Sequence, residues 1–345
     1  MSDKKIKCII WDLDNTIWHG VLSEGDNLIL NEEIVSIIKE FDNRGILNSI
    51  ASKNDFAQAA EKLKEFGIFD YFIYPHISWN PKSNAVMEIG KQINIGIDTL
   101  AFIDDQEFEL DEVSYSLPEV SCLNVSRASE FLHMSIFNPK YVTTDSKLRR
   151  QLYQTDIIRN QVEKDFIGTE EEFLRSLEME FTIESAKKED LKRCEELTVR
   201  THQLNATGYT YSYEELESMI DSDKHILLTA SLKDKYGTYG KIGIALLEIM
   251  EDDSYRLNLL LMSCRVMSRG VGSILLAYII NYVRSKGKKL QAEFIPTDRN
   301  RVMYITYKFG GFNEIGVVDN IQILEYQLDR DAIIPDYVKV KGFAD

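Results

Sequence analysis

Ile6-Lys7-Cys8-Ile9-Ile10-Trp11-Asp12-Leu13-Asp14-Asn15-Thr16 decides how the first half of this 345-residue chain folds. The apolar run from Ile6 to Trp11 reads as a buried strand, and it delivers two carboxylates, Asp12 and Asp14, where that strand ends. Carboxylates this close repel each other. A divalent cation is their natural neutraliser, and it also screens an approaching phosphate. An Asp12 oxygen in that setting can attack phosphorus. Because D-x-D after a strand also occurs as plain turn chemistry, the weight falls on what later strand ends add.

Three further strand ends carry chemistry. The apolar segment 46–51 leads into Ser52-Lys53-Asn54, a hydroxyl suited to a phosphoryl oxygen. Lys82 follows Asn80-Pro81 and opens a helical stretch, so its ammonium can sit beside a phosphate. Leu100-Ala101-Phe102-Ile103 then runs into a second acidic pair, Asp104-Asp105. From residue 6 to about 125, strands expected at 6–11, 46–51, 71–74, 99–103 and 120–123 alternate with helices near 32–43, 55–66, 83–93 and 107–115. That alternation predicts an α/β unit with a doubly wound parallel sheet covered on both faces.

The order acid, hydroxyl, cation, acid resembles the four motifs of the haloacid dehalogenase superfamily. The resemblance implies Asp12 as phosphoryl-accepting nucleophile and Asp14 as general acid/base, with Ser52, Asn54 and Lys82 around the phosphate. It also implies Mg²⁺ held by Asp12, by Asp14 through its backbone carbonyl, and by either Asp104 or Asp105. The stretch 18–29 is too short for a cap domain. An open site suited to a large or protein-bound substrate is therefore expected.

Composition narrows the class. No stretch approaches the roughly 20 apolar residues of a membrane span, and the N-terminus runs straight into the first strand with no signal-peptide pattern. Cys8, Cys122, Cys194 and Cys264 are scattered and contain no C-x-x-C pair, so neither a zinc site nor a disulfide framework is expected, and a reducing cytoplasm is the default. A net charge of −16 argues against nucleic-acid binding. The charge is uneven: residues 1–140 hold 12 Lys and Arg against 23 Asp and Glu, while residues 261–310 hold 9 against 2. That basic island suits an acidic partner or a ligand phosphate.

The expected division is a phosphatase-like domain at 1–140, a helical linker at 141–176 and a second domain at 177–345. In the last, helices at 188–200 and 213–220 precede strands at 225–232, 241–249 and 254–262. Consecutive strands without helices between them predict an α+β domain with a mostly antiparallel sheet. The third strand ends at Ser263-Cys264 and turns into Arg265-Val266-Met267-Ser268-Arg269-Gly270-Val271-Gly272 before an apolar helix. Gly270 and Gly272 leave backbone amides to face an anion at the start of that helix.

This loop resembles that of the GNAT acyltransferase fold, which cradles the pyrophosphate of coenzyme A, and Asn300, Tyr304, Tyr307 and Gly310-Gly311-Phe312 resemble its later motif lining the pantetheine arm. Met267 departs from the family's usual Gln or Arg. Cys264, at the end of an apolar strand with Arg265 and Arg269 close in sequence, is placed to carry an acyl group. The whole combination resembles the FkbH-like proteins of polyketide biosynthesis. That resemblance implies a bifunctional glyceryl transferase and phosphatase: an acyl phosphate, 1,3-bisphosphoglycerate, acylates Cys264, the Asp site removes the remaining phosphate, and the glyceryl unit passes to the phosphopantetheine thiol of an acyl carrier protein. It also draws attention to Arg200-Thr201-His202-Gln203-Leu204-Asn205, where His202 is expected to deprotonate the incoming thiol and Gln203 or Asn205 to hold the acyl oxygen or glyceryl hydroxyls. The competing readings are a phosphatase fused to an acetyl-coenzyme A-dependent N-acyltransferase, and an inert scaffold that binds a carrier protein.

Overall fold

The computed structural model describes residues 5–252 and 254–343. Residues 1–4, expected to run straight into the first strand, lie outside the described residues. The chain divides into two compact units, Met1–Gln154 and Thr155–Asp345.

In the first unit β1 (Cys8–Trp11), β2 (Leu47–Ser52), β3 (His76–Ile77), β4 (Leu100–Asp104) and β5 (Ser121–Asn124) form one parallel sheet in the order β3-β2-β1-β4-β5. β1 is central: Cys8 faces Leu47 on one side and Leu100 on the other, and Trp11 faces Ile50 and Ile103. Every residue of β1, β2 and β4 is buried, as strands covered on both faces must be. The covering helices are α1 (Glu32–Asn43), α2 (Phe56–Glu65), α3 (Lys82–Ile93) and α4 (Glu107–Ser116). Asn31 and Asp55 cap the first two by accepting from the Ile34 and Gln58 amides, which satisfies orphan donors of the first turn. Parallel strands all end on one edge. Asp12, Ser52 and Asp104 therefore meet there, together with Lys82 at the start of α3.

Of the strand expected at 71–74 a single parallel bridge of Phe72 with Asn48 is present, and the regular strand lies at His76–Ile77, pairing with Ala51 and Ser52. Phe69–Tyr71 is a 3-10 turn, Tyr74 has φ +48°, and Pro75 has no amide hydrogen to donate. A two-stranded ribbon, Trp18–His19 against Ile29–Leu30, is the sole structure between β1 and α1 besides the short turn Leu22–Glu24.

The stretch expected as a linker is divided between the units. Its main element is α5 (Arg149–Asp165). In the first unit Arg149 bonds the Gly45 carbonyl and Arg150 pairs with Asp42 at 2.9 Å. Asp156, Arg159, Asn160 and Glu163 bond within the second unit.

The second unit follows with α6 (Glu170–Ser176), β6 (Met179–Ser185), α7 (Leu191–Arg200), α8 (Tyr213–Ile220), β7 (His225–Asp234), β8 (Gly237–Ile249), β9 (Tyr255–Met262), α9 (Val271–Ser285), β10 (Leu290–Phe294), α10 (Arg301–Phe309), β11 (Phe312–Val318), β12 (Ile321–Tyr326) and β13 (Val338–Lys341). The eight strands form one mostly antiparallel sheet in the order β11-β12-β10-β9-β8-β7-β6-β13. Two seams are parallel, β9 with β10 and β6 with β13. One face packs under α9, which buries Val271, Ile274, Leu275, Ile279 and Val283. The other packs under α7 and α8 through Leu191, Cys194, Leu197 and Leu216. Among the described residues no helix is long and apolar enough to cross a membrane.

Candidate functional site

Lys82 is the buried centre of the first unit's strand-end edge. Its Nζ lies 2.6 Å from Asp104 Oδ2 and 2.9 Å from Asp12 Oδ1. Asp12, Asp104 and Asp105 each offer a carboxylate oxygen, all within 4.8 Å of one another. Burial raises Asp12 to about 6, against the pull of Lys82 and with the push of Asp104. It raises Asp104 and Asp105 as well, Asp105 further by the charge of Asp12. Burial alone would lower Lys82, but Asp12 and Asp104 hold it above its ordinary value. Three carboxylates against one ammonium leave a negative excess.

The donor set fits a hard divalent cation, which prefers oxygen ligands. Both Asp104 oxygens are already bonded, to Lys82 and to the Gln106 amide at 2.9 Å. Asp105 Oδ1 is buried and has no partner among the described residues. That orphaned oxygen fits a ligand role for Asp105.

The Asp14 carboxylate stands outside this trio. Oδ1 accepts from Trp18 Nε1 at 2.8 Å and the Leu22 amide at 3.1 Å, and Oδ2 accepts from Asn54 Nδ2 at 3.0 Å. Three donors fix its direction. Asn54 also donates to Ser52 Oγ at 3.2 Å, so it orients Asp14 and Ser52 together rather than presenting its amide nitrogen to a phosphate. Trp18 escaped the sequence reading. Its position four residues after Asp14 was the available signal, and an aromatic there reads equally well as core.

In the second unit Cys264 opens the 3-10 turn Cys264–Arg269 at the end of β9, partly buried against the main core. Gly270 follows with φ +69° and starts α9 with no side-chain cap, and Gly272 lies in its first turn. The two arginines expected to bind phosphate do not face an open anion site. Arg265 donates to the Tyr239 carbonyl at 2.7 Å and pairs with Asp156. Arg269, almost fully buried, pairs with Glu163 at 2.9 Å. Carboxylates of α5 thus balance both charges. Nothing local in sequence marks this, because the partners lie more than 100 positions away.

The loop after α7 gives a second correction. Asn205 is fully buried: its Oδ1 accepts from the Thr207 and Gly208 amides at 3.2 and 3.0 Å, and its Nδ2 donates to the Tyr209 carbonyl at 3.1 Å. It organises the loop from a position closed to solvent. Asn300, also fully buried, donates to the carbonyls of Asn205, Ala206 and Ile295 and accepts from the Thr297 amide. It is a staple rather than a ligand-binding group. His202 is exposed and Gln203 partly exposed at the start of the same loop.

No protein-family model matches the chain, and no curated protein matches it. Among solved structures it is similar to the N-terminal part of protein BF1531 from Bacteroides fragilis, which contains a phosphatase domain and is complexed with Mg: 29% identity over 39% of this chain and 40% of that chain, TM-score 0.35. It is also similar to the PaiA N-acetyltransferase of Thermoplasma acidophilum in complex with coenzyme A, at 19% identity over 43% of this chain and 99% of that one, TM-score 0.35. The ribosomal-protein-S18-alanine N-acetyltransferase of Escherichia coli aligns at 16% identity over 45% of this chain and 99% of its own, TM-score 0.33.

Proposed function

We propose that the chain is a bifunctional glyceryl transferase and phosphatase that takes 1,3-bisphosphoglycerate and loads a glyceryl unit onto the phosphopantetheine thiol of an acyl carrier protein. The observation that carries this reading is the setting of Cys264. Cys8 and Cys194 are sealed in the core, with burial pushing both thiols far up, whereas Cys264 is only partly buried where β9 ends.

In the transfer half, the Cys264 thiolate attacks the acyl carbon. A C–S bond forms, the C–O bond to phosphate breaks, and inorganic phosphate leaves. The carrier thiol then gives up its proton to the His202 imidazole and attacks the same carbon, and the Cys264 sulfur departs as thiolate. In the phosphatase half, Asp12, Asp104 and Asp105 would hold Mg²⁺, which when bound neutralises charge on phosphoryl oxygens. Asp12 attacks phosphorus while Asp14 protonates the departing ester oxygen. Asp14 then takes a proton from the water that opens the aspartyl phosphate, and phosphate is released. Lys82 and Ser52 stabilise the equatorial oxygens. The halves need separate machinery because an acyl phosphate transfers its acyl group readily, whereas phosphate-ester hydrolysis requires accelerations up to ~10²¹.

The carrier surface is proposed on the basic island. Arg284 pairs with Asp329 and Asp331 at 3.4 and 3.3 Å, and Lys286, Lys288 and Lys289 are exposed and add positive charge for an acidic partner. Reversing Lys288 and Lys289 to Glu should slow carrier loading and leave small-molecule phosphatase turnover unchanged.

Intact-mass measurement after incubation with freshly generated 1,3-bisphosphoglycerate, with and without a holo carrier protein, tests the reading. A mass increment on Cys264 that moves to the carrier is expected. Acyl transfer that survives Cys264→Ala would favour direct transfer from acetyl-coenzyme A to an amine instead, and absence of Mg²⁺-dependent phosphate release would favour the scaffold reading.

A further inference from the structure

One flank of α9 carries a groove of about 310 Å³ that the chain itself leaves open. Its floor is the helix from Ser273 to Ile280, one wall is the end of α10 at Phe309 and Gly310, and the other is the segment Leu328 to Ile333 that follows β12. Both walls are fixed. Gly310 lies so close to the floor that an added Cβ would stand 2.9 Å from Leu276 Cδ2. On the other side Asn281 donates to the Ala332 carbonyl at 2.9 Å and accepts from the Ala332 amide at 2.7 Å, and Arg284 donates to the Leu328 carbonyl at 3.2 Å. The groove is therefore preformed, and an occupant does not have to order it.

Its rim is apolar where water reaches it. Phe309 is 89% exposed and Ile333 82%, one on each wall, with Leu328 at 40% beside Ile333 in the same cavity. Apolar side chains gathered around one cavity, rather than scattered singly, mark an interaction site. The surrounding charge is positive. Lys308 and Arg330 are exposed on the two walls, and Lys286, Lys288 and Lys289 are exposed beyond the Ile280 end. Of the acids there, Asp329 and Asp331 pair with Arg284. An apolar strip bordered by cations complements an amphipathic helix whose polar face is acidic. The floor from Ser273 to Ile280 is about 10 Å long, the rise of two helical turns.

We propose that this groove seats an acidic amphipathic helix of the carrier protein, its apolar side chains between Phe309 and Ile333 and its carboxylates toward Arg330 and the lysines past the end of α9. The assignment rests on the carrier-loading reading above and gives the basic end of α9 an apolar anchor site, since charge alone steers a partner more than it holds one. The groove begins at Ser273 in the first turn of α9, and the turn Cys264–Arg269 leads directly into that helix. Docking groove and acyl-carrying turn therefore share one end of α9. A second copy of the chain is the rival occupant, and a charge of −16 on each copy opposes it.

The test is the dependence of glyceryl loading on the concentration of holo acyl carrier protein in the full chain, with carrier-free acylation of Cys264 by 1,3-bisphosphoglycerate followed by intact mass as a second readout. Phe309→Glu and Ile333→Glu should each raise the KM for the carrier by about tenfold or more, the loss typical of an anchor residue, and leave Cys264 acylation and Mg²⁺-dependent phosphate release within about twofold. Ala277→Trp, which fills the groove without adding charge, should act in the same way. An unchanged KM in both Glu variants overturns the assignment, as does a fall in loading matched by an equal fall in Cys264 acylation. A wild-type chain that sediments as a dimer and becomes monomeric in Phe309→Glu overturns it in favour of a second copy. A wild-type chain that forms no Cys264 adduct, or whose adduct never moves to the carrier, refutes the carrier-loading reading itself, an outcome distinct from loading that proceeds regardless of the groove.

Discussion

Arg159 and Asp234 form a two-pronged ion pair with both side chains fully buried. Nε and Nη2 of Arg159 each lie 2.8 Å from an Asp234 oxygen. The guanidinium stacks 3.7 Å from the Tyr239 ring centroid, and Tyr239 donates its hydroxyl to Asp234 at 2.9 Å. Arg159 also reaches Asp156, which holds Arg265 next to Cys264. The pair ties the later half of α5 to the hairpin of β7 and β8. Removing one partner strands a buried charge, so Asp234→Ala should destabilise the second unit by about 3–5 kcal/mol in denaturant unfolding. A well-packed apolar replacement of both residues should recover most of that loss.

The acidic group of the first unit predicts a metal-linked stability. With the Asp12 carboxyl raised to about 6, its folded value exceeds the unfolded value of about 3.9. Its contribution is therefore complete below the unfolded value and is lost as pH rises through about 6. In EDTA the melting temperature should fall between pH 4 and pH 7, and Mg²⁺ should restore it at pH 7 by binding the folded state. Asp12→Asn should flatten the pH dependence and shrink the Mg²⁺ shift. The same change should cut phosphate release by on the order of 10³-fold or more, as removal of a nucleophile does.

Thiol chemistry separates the cysteines. Burial pushes Cys194 up to about 12 and Cys8 higher still, and only the thiolate reacts. Iodoacetamide at pH 8 should label Cys264 well before either, with Cys8 and Cys194 modified only in denaturant. Peptide mapping of the adducts measures this and separates Cys264 from Cys122, which is also partly buried, and Cys264→Ala should remove the early label on its own peptide.

Glu293 on β10 is a partly buried carboxyl that desolvation raises, with Arg256 opposing and Glu248 reinforcing the shift. The sign follows from its raised folded value: ionisation costs more in the folded state, so its contribution declines as pH rises. Glu293→Gln should raise the melting temperature more at pH 8 than at pH 4. An equal effect at both would show that the carboxyl ionises as easily in the folded chain as in the unfolded one.

The first unit was readable from sequence because its chemistry sits on local signals. α1 occupies residues 32–43 as its apolar spacing predicts, and Asp12, Ser52, Lys82 and Asp104 each follow a recognisable strand or open a helix. β3 was misplaced because Pro75 interrupts an apolar run that looks continuous. In the second unit the central strands β7, β8 and β9 were legible, whereas β6, β10, β11, β12 and β13 were not. β10 and β13 are no longer than five residues, and each pairs in parallel with a strand distant in sequence, so neither carries a local turn signal.

What the residue order determined by itself was the kind of chemistry at each strand end and the alternation that builds the parallel sheet. Both depend on side-chain type and on a period of two or 3.6 along the chain. Tertiary structure alone decided which polar groups remain available. Arg265 and Arg269 are neutralised by Asp156 and Glu163, and Asn205 and Asn300 bond backbone groups. Hydrogen-bond and charge partners are set by proximity in space, and Arg265 and Arg269 meet theirs across as many as 109 residues.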